Sequence, residues 1–142
     1  MSQVPHCRLF IAEDDDELRA VLATAFRRDG YQVIEAIDGP DLVDHLISAR
    51  RTGEPLNGHD VVVSDFRMPG FSGLQVLASF HNLHWDMPFI LISGFVDPET
   101  EQRARELGAA AVFAKPVDID DLRKAVLNIV NGAHPVGSAA AS

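Results

Sequence analysis

The central segment Val61-Val62-Val63-Ser64-Asp65 indicates the fold class. Its three consecutive β-branched residues favour an extended strand. Because successive side chains of a strand point to opposite faces, an unbroken apolar run implies burial on both faces, as in a parallel sheet covered by helices. The run ends at Ser64 and Asp65, which puts a carboxylate at the carboxyl end of a buried strand. In parallel sheets, ligands bind at that edge.

The same pattern repeats on either side of this stretch. Short apolar runs alternate with segments whose apolar residues recur every three to four positions, the spacing of a helix that packs one face on a core. We predict strands at 9–12, 31–36, 61–63, 89–92 and 110–114, and helices at 15–29, from 38 onward, after 70, between 97 and 108 and at 118–130. Five strands alternating with five helices indicate a doubly wound α/β domain with helices on both faces of a parallel sheet.

Composition and charge argue against some classes of function and partner. The chain has 142 residues and a formal net charge of −9, a field that repels phosphate backbones, so we expect no direct nucleic-acid partner. No apolar run approaches the ~20 residues that span a bilayer, and Met1–Pro5 lacks the features of a signal peptide, so we expect no membrane association. The single cysteine, Cys7, suits a reducing, cytoplasmic location. We predict one domain over residues 1–131 and a flexible tail at 132–142.

Reactive side chains follow four of the predicted strands. Glu13 and Asp14 follow the first strand, Asp65 the third, Ser93 the fourth and Lys115 the fifth. In a sheet of order 2-1-3-4-5 these residues meet at one edge. Three carboxylates repel one another unless a cation balances them, and Mg2+ binds carboxylates together with phosphate oxygens. With Mg2+ and Lys115 neutralising charge, Ser93 donating a hydrogen bond and Asp65 as nucleophile, the set is suited to phosphoryl transfer.

Four segments at these strand ends form an ordered set. They read Ile11-Ala12-Glu13-Asp14, Asp65-Phe66-Arg67-Met68-Pro69-Gly70, Leu91-Ile92-Ser93-Gly94 and Phe113-Ala114-Lys115-Pro116. Over residues 7–131 the chain resembles the response-regulator receiver domains of two-component signalling, whose pattern is an acidic pair, D-x-x-M-P-G, a Ser or Thr, and K-P. The resemblance implies a flavodoxin-like doubly wound five-stranded parallel sheet in the order 2-1-3-4-5, with helices on both faces.

The resemblance also implies a chemistry for the strand-end residues. The domain would accept a phosphoryl group onto Asp65 from a phosphohistidine of a partner, in an Mg2+-dependent step. Asp14 would be a direct metal ligand, Glu13 would act mainly through water, and Arg67 would offer its backbone carbonyl to the metal. Lys115 would contact the phosphoryl group.

A switch and a set of partners follow from the same resemblance. Ser93 would turn toward the phosphoryl group, Phe113 would turn inward, and the bond between Lys115 and Pro116 is expected to be cis. The implied partners are a sensor histidine kinase or phosphotransfer protein and a downstream protein target, with a phosphorylation-dependent homodimer left open. We expect no enzymatic activity beyond the domain's own phosphorylation and dephosphorylation.

Because Glu13 to Glu17 are five consecutive acids, the position of the metal-binding pair is ambiguous by one residue. The pair is either Glu13 and Asp14 or Asp14 and Asp15. Alignment on Leu18-Arg19 favours the first pair and makes Asp15 the N-cap of the first helix.

Three other functions compete with the receiver. A Mg2+-dependent phosphohydrolase that forms an aspartyl phosphate typically has a second Asp two positions beyond its nucleophile, where this sequence has Arg67, a residue that cannot act as a proton donor. A docking module without phosphorylation would not need the complete set of acids, hydroxyl and lysine. A flavodoxin-like flavin carrier would place its phosphate beside the acids that follow the first strand, which would repel it.

Overall fold

The computed structural model describes residues 7–52, 59–83, 87–95 and 97–132. They form a five-stranded parallel sheet in the order β2-β1-β3-β4-β5, which confirms the predicted order. The strands are β1 (Cys7–Ala12), β2 (Gln32–Ala36), β3 (His59–Asp65), β4 (Phe89–Ser93) and β5 (Ala109–Ala114). Because the chain passes outward to β2 on one side and to β4 and β5 on the other, the strand order reverses between β1 and β3. This is the point where open α/β sheets bind ligands.

Helices cover both faces of the sheet, as predicted. Helices α1 and α5 pack on one face, and α2, α3 and α4 pack on the other. Along β1, Leu9 and Ile11 join the first core and Phe10 and Ala12 the second, because side chains alternate across a strand. The helices are α1 (Asp16–Arg28), α2 (Gly39–Thr52), α3 (Gly73–Asn82), α4 (Pro98–Glu106) and α5 (Ile119–Val130).

Capping residues mark the ends of several of these helices, α1 and α4 among them, as the sequence indicates. Asp15 is the N-cap of α1, and its side chain accepts hydrogen bonds from the backbone N–H groups of Glu17 at 3.0 Å and Leu18 at 3.2 Å. Asp97 caps α4 in the same way, with proline in the first turn. Gly30 follows α1 with a φ of 99°, a left-handed conformation that favours glycine.

The start of β2 differs from the prediction by one residue. The sequence predicts a strand from Tyr31, but the strand begins at Gln32. The ring of Tyr31 is buried edge-on against Phe26, with 5.7 Å between ring centroids, so this aromatic residue packs in the α1–β2 connection.

Part of the predicted organisation lies beyond the described residues. Residues 53–58 of the predicted α2–β3 loop and residues 133–142 of the predicted tail are outside them. Across the part of the chain that the structure describes, no helix is both long and apolar enough to cross a bilayer.

The N-cap of α1 can be tested through stability. We expect Asp15→Ala to lower the free energy of unfolding by about 1 kcal/mol, because two backbone N–H groups lose their acceptor. Asp15→Asn should retain most of the stability, since asparagine also caps helices well. Urea denaturation of both variants measures the difference, and equal losses would contradict the capping role.

Candidate functional site

Three carboxylates meet where β1 and β3 end. β1 and β3 are neighbours with Ala12 opposite Ser64, so the next residues along the chain, Glu13 and Asp65, lie side by side. Glu13, Asp14 and Asp65 each offer a carboxylate oxygen, and these oxygens all lie within 4.8 Å of one another. Glu13 and Asp65 are buried, at 1% and 5% exposure, whereas Asp14 is exposed. The cluster is therefore closed on the protein side and open to solvent at Asp14.

A single ammonium joins two of these carboxylates. Lys115 Nζ donates to Asp65 Oδ2 at 3.0 Å and lies 3.2 Å from Glu13 Oε1. Its backbone N–H donates to the carbonyl of Ser93 at 2.8 Å, which ties the end of β5 to the end of β4. Although partial burial opposes the charged form, the hydrogen bond and charge of Asp65, with that of Glu13, raise the pKa of Lys115. The lysine therefore carries a positive charge at neutral pH. The peptide bond between Lys115 and Pro116 is cis, as expected.

Glu13 is the carboxylate with the most unusual environment. Its Oε2 accepts a hydrogen bond from the backbone N–H of Asp15 at 3.0 Å. Its Oε1 is buried and, in the described part of the chain, receives no hydrogen bond of good geometry despite the nearby ammonium. Burial raises the pKa of Glu13 to about 7, and the charge of Asp65 acts in the same direction, against Asp15 N–H and Lys115. A hydrated divalent cation would supply the missing donor and charge, so these residues fit a metal site.

The strand end that carries Asp65 is held by close packing. The N–H of Phe66 donates to the carbonyl of Ile92 at 2.7 Å, and the N–H of Gly73 donates to Phe66 at 2.8 Å. A Cβ at Gly73 would lie 2.5 Å from the carbonyl oxygen of Asp65 and 2.9 Å from Ser64 Oγ, so only glycine fits there. The buried Ser64 hydroxyl donates to the same carbonyl at 3.0 Å. Ser64 and Gly73 were not predicted as site residues, and a glycine at a helix start was the only sequence signal for Gly73.

Arg67 and Ser93 lie at the rim of the cluster. The N–H of Arg67 makes a long contact of 3.4 Å to Asp65 Oδ1. Arg67 and Asp14 line an open cavity of about 400 Å³ beside the three carboxylates. The Ser93 hydroxyl donates to the carbonyl of Phe95 at 2.7 Å and accepts from its N–H at 3.1 Å, so both hydrogen bonds engage the β4–α4 loop.

Phe113, the predicted aromatic switch residue, lies on β5 two residues before Lys115. It is partly buried and packs against the core on the α1 and α5 face of the sheet. The structure therefore brings Glu13, Asp14, Asp65 and Lys115 into one cluster, with Ser93 engaged in the adjacent β4–α4 loop.

Comparison with known proteins identifies the family. Residues 9–127 match the family described as response regulator receiver domain, and the chain belongs to that family. It is a receiver domain of the kind found in two-component response regulators, and a signalling domain.

Individual relatives agree with this assignment. The sporulation initiation phosphotransferase F of Bacillus subtilis is 29% identical over 119 residues, which cover 84% of this chain and 90% of that protein. The transcriptional regulatory protein PdtaR of Mycobacterium tuberculosis is 31% identical over 120 residues, which cover 84% of this chain but only 54% of that protein. Among solved structures, the receiver domain of the Francisella response regulator 1452 superposes with a TM-score of 0.73 at 25% identity, covering 88% of this chain and 96% of that one.

The raised pKa of Glu13 predicts a pH-dependent metal affinity. A folded-state pKa of about 7 means that Glu13 is mostly protonated at pH 6 and mostly ionised at pH 8. Since a cation favours the ionised carboxylate, binding Mg2+ must release this proton, and we expect the affinity at pH 6 to be about tenfold lower than at pH 8. Isothermal titration calorimetry in buffers of different ionisation enthalpy measures both the affinity and the proton release.

The control for this prediction is Glu13→Gln, which removes the titrating group. This variant should bind Mg2+ more weakly at pH 8 and lose most of the difference between pH 6 and pH 8. An unchanged pH dependence in Glu13→Gln would assign the proton to another residue.

Proposed function

We propose that this receiver domain accepts a phosphoryl group on Asp65 from the phosphohistidine of a sensor histidine kinase or a phosphotransfer protein, in an Mg2+-dependent step. The observation that carries the proposal is the contact of Lys115 with both Asp65 and Glu13, beside an exposed Asp14. This arrangement leaves three carboxylates against one ammonium, which suits a divalent cation and an incoming phosphoryl group.

Each residue of the cluster has a distinct role in the proposed reaction. Lys115 holds Oδ2 of Asp65 at 3.0 Å, whereas the contact found for Oδ1 among the described residues is the long one to Arg67 N–H, so Oδ1 is the better candidate for the nucleophile. It attacks phosphorus, the P–N bond breaks, and the imidazole nitrogen keeps the bonding electron pair. The product is an acyl phosphate on Asp65. Lys115 then lies close enough to neutralise one of the phosphoryl oxygens.

The metal would be held from the open side of the cluster. Asp14 and Asp65 would bind it directly, Glu13 mainly through water, and Arg67 through its backbone carbonyl. Bound Mg2+ supplies charge neutralisation for the phosphoryl oxygens. Oε1 of Glu13, which has the Lys115 ammonium at 3.2 Å but no hydrogen bond of good geometry, supports this assignment, since a metal-bound water would donate to it.

The signal would leave the site through Ser93 and Phe113. Ser93 would exchange its hydrogen bonds with the Phe95 backbone for one to the phosphoryl group, which releases the loop that carries Phe95, now 66% exposed. Phe113 would then turn inward and change the protein-binding surface near α4. The readers of that surface would be a downstream protein target or a second copy of the chain, in the cytoplasm. In this proposal residues 1–131 are the receiver and residues 132–142 a flexible tail.

The alternative of a phosphohydrolase acting on small substrates is not favoured. Its general acid would stand at position 67, two residues beyond Asp65, and Arg67 holds its proton far too tightly to donate it. We therefore propose that the domain catalyses only its own phosphorylation and dephosphorylation.

Intact mass spectrometry tests the acceptor. Incubation with a small phosphodonor such as acetyl phosphate and Mg2+ should add one phosphoryl group to the wild type, and omission of Mg2+ should abolish most of the product. Asp65→Asn should remain unlabelled, because an amide is a poor nucleophile. The matched control is Glu17→Gln, an exposed acid of the same region, which should label like the wild type. Labelling of Asp65→Asn at the wild-type rate would refute the assignment.

Beryllofluoride, an analogue of the bound phosphoryl group, tests the switch. Added with Mg2+, it should shift the amide NMR signals of residues 93–95 and 113–115, since Ser93 leaves the Phe95 backbone. The far end of the sheet around Cys7 and Arg8 should change little. An absence of shifts at 93–95 in a sample that binds beryllofluoride would contradict the proposed role of Ser93.

A further inference from the structure

Arg19, on α1, makes polar contacts with the loop after β1, with its own helix and with β2. Its Nη1 donates to the backbone carbonyl of Glu13 at 2.8 Å and its Nη2 to Asp16 Oδ1 at 2.7 Å. Its Nε lies 3.4 Å from Glu35 Oε1 on β2. The side chain is only 14% exposed, so the contacts form a partly buried network. The planar fork of a guanidinium can serve three acceptors at once, which a lysine cannot do in the same geometry.

The contact with the Glu13 carbonyl fixes the loop that carries the acidic pair. This carbonyl and the N–H of Asp14 belong to one planar peptide unit, so holding the oxygen sets the direction in which the chain enters Asp14. On its other side, the N–H of Glu13 donates to the carbonyl of Ala36 at the end of β2, at 3.1 Å. The backbone N–H and the backbone carbonyl of Glu13 are therefore both hydrogen-bonded. The bond from Arg19 is the one nearer to Asp14.

The anchor of Arg19 on β2 is itself fixed. Glu35 lies opposite Ile11 in the parallel pairing of β1 and β2. Its second carboxylate oxygen accepts from Arg27 Nη1 at 2.9 Å, and Arg27 also donates to the carbonyl of Val33 at 3.2 Å. Arg19 and Arg27 therefore contact the same carboxylate, that of Glu35. Of these two arginines, only Arg19 also contacts the peptide unit that joins Glu13 to Asp14.

We infer that Arg19 is a positioning residue for the metal site. Glu13, Asp14 and Asp65 crowd their oxygens within 4.8 Å, and their mutual repulsion favours any movement that takes the exposed Asp14 outward. Arg19 opposes this movement by holding the Glu13–Asp14 peptide unit on α1 and β2. The site thus keeps its metal-binding geometry before the cation arrives, and Arg19 itself touches neither the metal nor the phosphoryl group. This inference rests on the Mg2+ site of the proposed function.

Calorimetric Mg2+ titration of Arg19→Met and Arg27→Met tests the inference. Both variants lose an ion pair with Glu35, but only Arg19→Met releases the Glu13 carbonyl. We expect Arg19→Met to weaken Mg2+ binding by about 10- to 100-fold, the usual effect of losing an outer partner of metal ligands, and Arg27→Met to change it by less than about twofold. The Asp14 amide NMR signal should be displaced in metal-free Arg19→Met and not in Arg27→Met.

A conservative variant separates positioning from general stability. Arg19→Lys can still donate to the Glu13 carbonyl without spanning all three acceptors, so its Mg2+ affinity should lie between those of the wild type and Arg19→Met. Thermal unfolding without Mg2+ reports the stability of each variant. If Arg19→Met does not fold, the Mg2+ affinity of Arg19→Lys is compared with that of Arg27→Met instead.

The possible outcomes distinguish this inference from the proposed function. Wild-type affinity in Arg19→Met and Arg19→Lys, or equal losses in Arg19→Met and Arg27→Met, would overturn the positioning role while leaving the metal site intact. A wild-type protein that fails to bind Mg2+ at millimolar concentration would instead overturn the proposed metal site, and this inference with it.

Discussion

The contact of Lys115 with Asp65 and Glu13 is the interaction on which the site depends. Two buried carboxylates lie beside a third, and in such surroundings like charges are costly because water screens them poorly. One ammonium offsets part of that cost, and the pKa of Glu13 is still raised, mainly by burial and in addition by the charge of Asp65. The folded domain therefore holds an acidic cluster that is incompletely neutralised and favours a cation. Burial raises the free-energy cost of keeping these carboxylates ionised, and for the same reason it strengthens their attraction for a cation.

The topology of the sheet explains how these charges meet. β1 and β3 are hydrogen-bonded neighbours, so Glu13 and Asp65 are adjacent as soon as the strands pair. Lys115 comes from β5, which is separated from β3 by β4, and its long side chain crosses that distance. The backbone bond from Lys115 to Ser93 aligns the ends of β4 and β5. Asp65 is therefore connected, through Lys115 and Ser93, to the ends of both β4 and β5.

Much of the fold could be predicted because its signals are local. The β-branched run at 61–63 and the alternating strand and helix patterns identify the elements, and Gly30 and Asp97 mark helix ends. Tyr31 was assigned to β2 although it precedes the strand. Buried aromatic residues occur both in strands and in the connections before them, and sequence does not distinguish the two. Gly73 was missed as a site residue because its importance lies in how closely it packs against the carbonyl of Asp65.

The fold class, the family resemblance and the strand ends that carry reactive residues could be read from the sequence, since these depend on periodicity and on spacing along the chain. The three-dimensional packing was needed to show which carboxylate oxygen Lys115 holds, that the pKa of Glu13 is raised, and that Arg19 joins the acidic loop to β2. These features depend on burial and on distances of about 3 Å between residues far apart in sequence. Such distances are set when helices and strands pack, and no local pattern encodes them.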